Sequence, residues 1–359
     1  MEIRKILVIR FRRVGDATLS VALCTSLRKS FPHAEIHYVL NENIAPLFSG
    51  HPDIDKIITF SDYDMAKITR YVKKVKTIVS EEKYDIIIDT RATIKTLFFS
   101  VFSLNTPYRI GRKKEYNLFF HNFRVDNYPD GIRDNLTLTL ELLNPLTKHF
   151  EIIKDSNFKL NSSETEKQSY KEYLQSKGLD LEKPIIVCAV TARKEGKVWP
   201  KDKMGNVLNR VIQKYPTAQL IFNYGGEREK NAAISLYEYM GKPESIFIDI
   251  EAKSLIEFKA LLSFSDFFFG NEGGPRHIAQ ALNVPTFAIY PPCVKKAGWL
   301  PNPSPTNLGI ELHDINPKYA EDKTLSYEEK LNLIDEDSVW EKLDIMLQQN
   351  IYLEEKIFA

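Results

Sequence analysis

Short apolar runs alternate with amphipathic stretches through the first third of the chain. The run Lys5–Phe11 is dominated by aliphatic residues, which predicts a strand buried on both faces of a sheet. Comparable runs follow at Glu35–Leu40, Asp55–Phe60 and Tyr84–Thr90, and a long stretch of helical periodicity occupies Asp64–Glu82. Because strands separated by helices form crossover units, this region predicts a parallel sheet.

A polar stretch, Leu160–Gln168, interrupts this alternation and is the predicted linker between two domains. Beyond it the same alternation resumes more regularly. The pattern predicts an α/β protein with two doubly wound parallel-sheet domains, 1–160 and 161–334, facing each other across a cleft. A final helix within 335–359 is expected to pack back on the N-terminal domain. The predicted strands of the second domain are Ile185–Val190, Gln219–Tyr224, Ser245–Ile250, Asp266–Gly270 and Val284–Tyr290.

The composition narrows the class of protein. Hydrophobic residues make up 43% of the 359 residues and charged residues 27%, as expected of a globular protein. Lys and Arg (49) balance Asp and Glu (48), so the basic excess of nucleic-acid-binding proteins is missing and no nucleic acid partner is expected. Cys24, Cys188 and Cys293 form no CxxC pair, which indicates a reducing compartment without a zinc site. No uncharged apolar run reaches the roughly 18 residues of a membrane span, and we expect a cytoplasmic protein.

In open parallel sheets, ligands bind in the loops that follow the carboxyl ends of the strands. The first such loop, RRVGDATLS, contains Arg12, Arg13, Gly15 and Asp16. Gly15 allows a sharp turn, and Asp16 falls where a helix is predicted to begin. Two interpretations of Asp16 stand side by side. It is either an N-cap that accepts helix N–H groups or a general base that takes a proton from a hydroxyl group.

Two loops of the second domain carry further candidates. VTARKEGKVWP contains Thr191 and Lys197, and Lys197 is either a phosphate ligand anchored by the neighbouring Trp199 or an ordinary solvated lysine. NYGGEREKNA contains two glycines that permit close approach of a ligand, followed by Glu227. Glu227 is either a ligand of a ribose or base, or an acidic residue that stabilises the start of a helix.

The loop GNEGGPRHIAQAL carries the most unusual chemistry. Asn271 and Glu272 precede Gly273 and Gly274, and Pro275 fits the first position of a helix. The N–H groups of such a helix N-terminus form an anion site suited to a diphosphate. Glu272 would repel a phosphate beside it and suits sugar or ribose hydroxyls better. His277, one turn into the helix, is either a donor to the ligand or a buried histidine.

Other features have plainer interpretations. Asp62–Asp64 has the Asp-x-Asp form that binds a metal–nucleotide complex in some enzymes, but helix capping is the favoured interpretation. No GxGxxG follows the first strand, and no cluster has metal-ligand spacing, so no metal is expected. Leu97–Leu104 is interpreted as one face of a core helix rather than a membrane contact. The basic run Arg109–Lys114 is either an anion-binding surface or an ordinary solvated one.

The segments RRVGDATLS, KVWP, GGE and EGGPRHIAQALNVP, in this order, resemble the motifs of the ADP-heptose:lipopolysaccharide heptosyltransferase family, also called glycosyltransferase family nine. The resemblance spans most of the chain, and the last segment is its most specific part. It implies a GT-B fold of two Rossmann-like domains, with a nucleotide sugar held mainly by the C-terminal one. It also implies an inverting reaction without a metal or other cofactor.

The resemblance also implies roles for the candidates. Asp16 corresponds to the general base that activates the acceptor hydroxyl, and Lys197 would hold the diphosphate and offset its charge. The implied acceptor is an anionic, lipid-linked lipopolysaccharide core or related saccharide, which Arg12 and Arg13 would contact. Such an acceptor implies peripheral contact with the inner face of the membrane. The implied contacts of the donor, ADP-heptose or a similar nucleotide sugar, are Gly15, Thr191, Lys197, Glu227, Asn271, Glu272, Gly273, Gly274 and His277.

The chain departs from the family pattern at two positions. Glu272 stands where an aspartate is usual, and Gly273 stands in place of serine or threonine. The longer side chain carries its carboxylate about 1.5 Å further from the backbone. The identity of the donor sugar therefore stays open. An epimerase or hydrolase that uses the same donor, and a non-catalytic nucleotide-sugar-binding protein, are the alternative functions.

Overall fold

The computed structural model describes residues 2–126 and 133–351. The chain divides into two compact units, Met1–Asn161 and Ser162–Ala359. The division falls within the polar stretch Leu160–Gln168. Each unit has its own parallel sheet and its own core, as the alternation of apolar runs predicts.

The first unit is built on a six-stranded parallel sheet. The strand order is β3-β2-β1-β4-β5-β6, so the direction of winding reverses between β1 and β4. This order is that of a doubly wound Rossmann-type sheet, whose ligands bind at the reversal. The strands are β1 (Lys5–Ile9), β2 (Glu35–Asn41), β3 (Lys56–Phe60), β4 (Ile86–Asp89), β5 (Tyr108–Arg112) and β6 (Phe123–Val125).

Helices cover the first sheet and bury its apolar side chains. Tyr71, Val75 and Val79 lie four residues apart on one helix and are buried against the strands. The helices are α1 (Val14–Ser30), α2 (Asp62–Ala66), α3 (Ile68–Glu82), α4 (Ile94–Val101) and α5 (Asn135–Leu140), with 3₁₀ segments at Ala45–Phe48, Glu115–Asn117 and Glu141–Lys148.

Several predictions for this unit are confirmed and others are wrong. Ser61 and Asp64 form a reciprocal capping box, which confirms the capping interpretation of Asp62–Asp64. Leu97 and Phe99 of α4 are buried, which confirms a core helix face. The single helix predicted over Asp64–Glu82 is wrong, because Lys67 adopts an extended conformation between α2 and α3.

The run Arg109–Lys114 was not predicted as a strand, although most of it forms β5. Its arginines conceal the apolar character by which the other strands were recognised. Arg109 and Arg112 are nonetheless buried, because their guanidinium groups donate to backbone carbonyls.

The second unit repeats the topology of the first. Its six parallel strands have the order β12-β11-β10-β7-β8-β9, which becomes the same 3-2-1-4-5-6 order when the strands are counted within the unit. The winding therefore reverses between β7 and β10. The strands are β7 (Ile185–Ala189), β8 (Gln219–Phe222), β9 (Ile246–Phe247), β10 (Phe267–Asn271), β11 (Thr286–Tyr290) and β12 (Asn307–Glu311).

The last helix of the second unit packs on its own unit. Val339, Leu343 and Met346 are buried in the same core as α7 and the sheet. The contact with the N-terminal domain stays a prediction. The helices are α6 (Glu164–Ser176), α7 (Lys201–Lys214), α8 (Glu227–Tyr239), α9 (Leu255–Leu262), α10 (Gly274–Ala281), α11 (Lys296–Trp299), α12 (Leu312–Ile315), α13 (Pro317–Glu321), α14 (Tyr327–Asn332) and α15 (Glu336–Ile351), with a 3₁₀ segment at Glu195–Lys197.

Gly270 allows the two central strands of this sheet to lie close together. Its φ is +142°, and a Cβ atom there would lie 2.3 Å from the carbonyl oxygen of Ala189 on β7. Both the backbone conformation and the contact therefore exclude a side chain. The residues that follow Gly270 form the loop with the predicted anion site, so the close contact between β10 and β7 sets the position of that loop.

We expect Gly270→Ala to lower the free energy of unfolding by about 3 kcal/mol, because β10 must move away from β7. Gly298→Ala is the matched control. A Cβ at Gly298 would meet nothing within 4 Å, so its effect should stay within about 0.5 kcal/mol. Denaturant unfolding monitored by circular dichroism measures both. Equal effects would show that the close approach does not constrain the sheet.

Candidate functional site

Most of the predicted functional residues lie at the two reversals of strand order. In the first unit the loops after β1 and β4 leave the sheet side by side, because these strands are neighbours. In the second unit the loops after β7 and β10 do the same. Residues far apart in sequence thus meet at the position where doubly wound sheets bind ligands.

Asp16 is the third residue of α1, and its carboxylate contacts the guanidinium of Arg10. The distance from Asp16 Oδ1 to Arg10 Nη2 is 2.5 Å, and both side chains are largely buried. The N-cap position is occupied by Arg13, whose side chain makes no capping hydrogen bond. The N-cap interpretation of Asp16 is therefore wrong, because the helix begins three residues earlier than predicted.

The turn before α1 is also made by other residues than predicted. Arg12 and Arg13 have φ values of 62° and 56°, in the left-handed region. Gly15 lies inside α1, is buried and does not have a positive φ. The turn before α1 is therefore made by Arg12 and Arg13 rather than by Gly15.

Asp16 lines a pocket of about 220 Å³ in the first unit. Four basic side chains line the same pocket: Arg10, Arg91, Arg112 and Lys114. Among the described residues, Asp16 is the only acidic one that lines the pocket, although Arg112 also pairs with Glu141 Oε2 behind it, at 3.4 Å. The remaining surplus of positive charge suits an anionic ligand that also carries a hydroxyl group. An ionised carboxylate beside such a hydroxyl can accept its proton.

The basic residues of this pocket are only partly those expected. Arg12 and Arg13 are exposed and are not among the residues that line it. Arg112 and Lys114 belong to the run Arg109–Lys114, for which an anion-binding surface was one of the two interpretations. Arg91 was missed, although its place two residues after the strand Ile86–Asp89 marks it as a loop residue at the carboxyl edge of the sheet.

In the second unit, Trp199 anchors the loop that carries Lys197. The indole is fully buried, and its Nε1 donates to the carbonyl of Ile334 at 3.0 Å. The backbone N–H of Trp199 donates to Asn271 Oδ1 at 2.8 Å, and Asn271 Nδ2 donates to the carbonyl of Ala189 at 3.0 Å. Asn271 thus ties this loop to the ends of β7 and β10, and its contact with a donor stays a prediction.

Lys197 and Glu272 form an ion pair. Lys197 Nζ lies 2.9 Å from Glu272 Oε2, and only 5% of the Glu272 side chain is exposed. The sequence motifs assigned these two residues to different parts of a ligand and did not predict this contact. The buried carboxylate fixes the ammonium group close to the N-terminus of α10, which Gly273 caps.

His277 is held inside the protein. It is 1% exposed, and its Nδ1 lies 2.9 Å from Nη2 of the fully buried Arg276. Burial, together with Arg276 and Lys197, holds the pKa of His277 well below its usual value, so the ring is neutral. These facts favour the buried-histidine interpretation. Arg276 was missed, and it also donates to Asn307 Oδ1 and to the carbonyl of Trp299.

Glu229 organises the glycine loop after β8. Its Oε2 accepts hydrogen bonds from Thr191 Oγ1 and from the backbone N–H of Gly225, both at 3.1 Å. Gly226, with φ of 78°, is the N-cap of α8, and Glu227 is the exposed first residue of that helix. The acid that reaches back to the loop is therefore Glu229. Its place three residues after the cap was the signal that could have identified it.

Among residues 2–126 and 133–351, one group of acidic and histidine side chains has the spacing of a metal site. It consists of Glu35, His37 and Glu82. Lys5 Nζ contacts both glutamates, at 3.1 Å and 2.6 Å, and Lys56 Nζ contacts Glu82 at 2.6 Å. Ammonium groups thus already neutralise these carboxylates, and the group lies outside the loops described above.

No helix in the described part of the chain is both long enough and apolar enough to pass through a bilayer.

The Lys197–Glu272 contact can be measured with a double-mutant cycle of Lys197→Met and Glu272→Met. Lys197→Met alone should lower the free energy of unfolding by about 1–3 kcal/mol, since it leaves a buried carboxylate without its partner. We expect a coupling energy of about 1–2 kcal/mol from urea unfolding. The same cycle at the exposed pair Arg210–Asp337, where 86% of the Asp337 side chain is accessible, should give about 0.5 kcal/mol or less. Equal couplings would contradict a preformed pair.

Comparisons with known proteins identify the family to which the chain belongs. The profile of "Glycosyltransferase family 9 (heptosyltransferase)" matches residues 72–319, more than half of the chain. The chain is 26% identical over 297 residues to lipopolysaccharide heptosyltransferase 1 of Campylobacter coli, covering 80% of this chain and 83% of that protein. It is 21% identical over 284 residues to lipopolysaccharide heptosyltransferase 3 of Escherichia coli, covering 77% and 80%.

Solved structures of other proteins have the same fold as this chain. A family 9 glycosyl transferase from Veillonella parvula DSM 2008 superposes with a TM-score of 0.79 at 19% identity, over 97% of this chain and 99% of that one. E. coli ADP-heptose lps heptosyltransferase II gives 0.69 at 20% identity, over 96% and 99%. The two six-stranded parallel sheets are those of the GT-B fold. The chain therefore belongs to glycosyltransferase family 9 and is a glycosyltransferase.

Proposed function

We propose that this enzyme is an inverting, metal-independent glycosyltransferase that moves a sugar from a nucleotide-sugar donor to a lipopolysaccharide-core or related cell-surface acceptor. The observation that carries the proposal is the position of Asp16, at the carboxyl edge of the first sheet in a pocket with four basic side chains. The heptosyltransferase names of its relatives in Campylobacter coli and Escherichia coli support the substrate class. The lipid anchor of such an acceptor would bring the enzyme to the cytoplasmic face of the inner membrane.

On the acceptor side, Asp16 is the general base. Arg10 engages one carboxylate oxygen, at 2.5 Å, which orients the carboxylate and leaves its second oxygen for a hydroxyl group. As that hydroxyl attacks the anomeric carbon, its proton passes to Asp16. The arginine and lysine side chains of the pocket bind the anionic groups of the acceptor and hold the hydroxyl in line with the bond that breaks.

On the donor side, the bond between the anomeric carbon and the diphosphate breaks, and the nucleoside diphosphate leaves with the bonding electrons. Lys197 and the N-terminus of α10 supply the positive charge that this leaving group needs. They take the place of a divalent cation, which is the physical basis for metal independence. A single displacement at the anomeric carbon inverts its configuration.

Glu272 bears on the choice of donor. Its carboxylate lies beside the proposed diphosphate site, and its Oε2 is 2.9 Å from Lys197 Nζ. The second carboxylate oxygen can accept a hydrogen bond from a sugar hydroxyl. Heptose from ADP-heptose is the proposed sugar, on the basis of the family. A panel of nucleotide sugars tested by thermal shift would identify the donor, since ligand binding raises the melting temperature.

Asp16→Asn should lower kcat by at least about 100-fold, because an amide cannot accept the proton of the hydroxyl group. Donor affinity should stay within about twofold, since Asp16 lies in the other unit from the donor loops. The rate of transfer to a truncated lipopolysaccharide core, followed by mass spectrometry, gives kcat. Calorimetry with the donor gives the donor affinity. Asp62→Asn, an exposed change in α2, is the control. Undiminished transfer by Asp16→Asn would refute the base assignment.

Transfer should proceed at the same rate, within about twofold, after dialysis against EDTA and without added cation. Lys197→Met should then slow the reaction by at least about 100-fold, because the leaving diphosphate loses its fixed charge. The same assay reports both effects. Loss of transfer in EDTA that Mg²⁺ or Mn²⁺ restores would show that a metal, rather than Lys197 and α10 alone, carries this charge.

A further inference from the structure

A buried acid and a buried histidine lie next to the pocket of the first unit. Asp89 ends β4, and its side chain and that of His121 are both 0% exposed. Gly111 on β5 is in register with Asp89. The His121 ring lies against Gly111, where a Cβ atom would be 2.5 Å from it. The sheet therefore leaves a place for this ring beside the carboxylate.

Asn117 determines which nitrogen of His121 carries the proton. Its Oδ1 accepts the backbone N–H of Lys114 at 3.1 Å, which fixes the orientation of the amide. Its Nδ2 then donates to the carbonyl of Arg112 at 2.7 Å and to His121 Nδ1 at 3.0 Å. Because Nδ1 accepts a hydrogen bond, the proton of the neutral ring sits on Nε2.

His121 Nε2 points toward the one unsatisfied oxygen of Asp89. The distance from Nε2 to Asp89 Oδ2 is 3.8 Å, and neither atom has a hydrogen-bond partner in the described part of the chain. Asp89 Oδ1 accepts the backbone N–H groups of Arg91 and Ala92, at 3.1 Å and 2.8 Å. An added proton would therefore go to Oδ2, directly opposite another N–H.

The same hydrogen bonds hold three basic residues of the pocket. Asp89 Oδ1 fixes the backbone of Arg91, and Asn117 fixes the backbones of Arg112 and Lys114. All three side chains line the pocket with Asp16. A change of protonation at the buried pair is thus connected to the placement of these cations through the buried side chains of Asp89, His121 and Asn117.

We propose that Asp89, His121 and Asn117 form a buried relay that positions the cations of the acceptor pocket, so that one proton added to the relay displaces them and weakens anion binding. This rests on the proposed function, in which the pocket receives the anionic groups of the acceptor. The three residues are positioning residues and do not contact the substrate.

The ionisation of the pair places the switch near neutral pH. Burial raises the pKa of Asp89 to about 6 and lowers that of His121 to about 4. At neutral pH the acid is ionised and the imidazole is neutral, so the Nε2–H donor of His121 faces the Oδ2 acceptor of Asp89. Below about pH 6 the proton on Oδ2 faces the Nε2 proton, and the ring cannot change tautomer while Asn117 donates to Nδ1. The charged or titratable groups that act on the pair are Arg10 and Tyr71 around Asp89, where the Thr96 hydroxyl also lies, and Arg109 and Arg124 around His121.

Binding of inorganic sulfate tests the relay without catalysis. Sulfate keeps its charge between pH 5 and pH 8, roughly, so a change in its affinity reports the protein. Calorimetry on the wild type and on Arg91→Met separates the binding that depends on the pocket from binding elsewhere. We expect pocket affinity to fall by about fivefold as the pH drops through the Asp89 transition. General protonation of the surface would strengthen sulfate binding instead.

Variants of the pair separate the relay from a purely structural role. Asp89→Asn places an N–H opposite Nε2 permanently, so sulfate should bind weakly at every pH. His121→Gln can present either its oxygen or its N–H to Asp89, so binding should be strong and independent of pH. In the double variant the N–H of the introduced asparagine faces the oxygen of the introduced glutamine, so binding should be restored. A double variant as weak as Asp89→Asn, while folded by circular dichroism, would overturn the relay.

Nitrogen NMR of the His121 ring gives an independent measure. At pH 7.5, approximately, the ring should be neutral with its proton on Nε2, and its signals should shift through the Asp89 transition in the wild type alone. A ring with its proton on Nδ1, or one that does not respond, would overturn the relay. If wild type and Arg91→Met bind sulfate equally, the acceptor pocket of the proposed function is wrong, and the NMR result decides the relay separately.

Discussion

Strand order is the constraint on which both ligand-binding regions depend. Parallel strands place every connecting loop on the same edge, and the reversals between β1 and β4 and between β7 and β10 separate the helices above those strands. A pair of neighbouring loops can then approach one ligand without a helix in the way. Asp16 and Arg91 meet in this way in one unit, as Lys197 and Glu272 do in the other.

Contacts that involve the backbone and no charged side chain position the loops of the second unit. A strand pair that only glycine permits, at Gly270, brings the end of β10 against β7. The amide of Asn271 then connects both strands to the buried Trp199, which fixes the segment that carries Lys197. The Lys197–Glu272 pair is the last element added to this framework. A long side chain such as lysine loses much rotational freedom when it is held. Holding it in advance reduces the entropic cost of binding an anion, and the negative charge of Glu272 opposes that gain.

Buried polar groups have a similar role in the first unit. A cationic pocket needs side chains that repel one another to converge, and this is stable only where their backbones are held by other contacts. The buried side chains of Asp89 and Asn117 hold those backbones by hydrogen bonds. Inside the protein each hydrogen bond is strong, and each unpaired polar atom raises the free energy of the folded state. The placement of the cations therefore depends on hydrogen bonds of the buried side chains of Asp89 and Asn117.

The sequence by itself determined the two-unit α/β class, most of the buried strands and the loops that carry chemistry, because aliphatic runs and glycine-rich turns are local signals. It missed β5, whose arginines are buried through backbone carbonyls, and it placed Asp16 at the wrong position of its helix. Only the tertiary structure decided that Lys197 contacts Glu272 and that Arg91 joins Asp16. These residues lie about 75 positions apart in the chain, and their contacts arise only when neighbouring parallel strands bring their loops together.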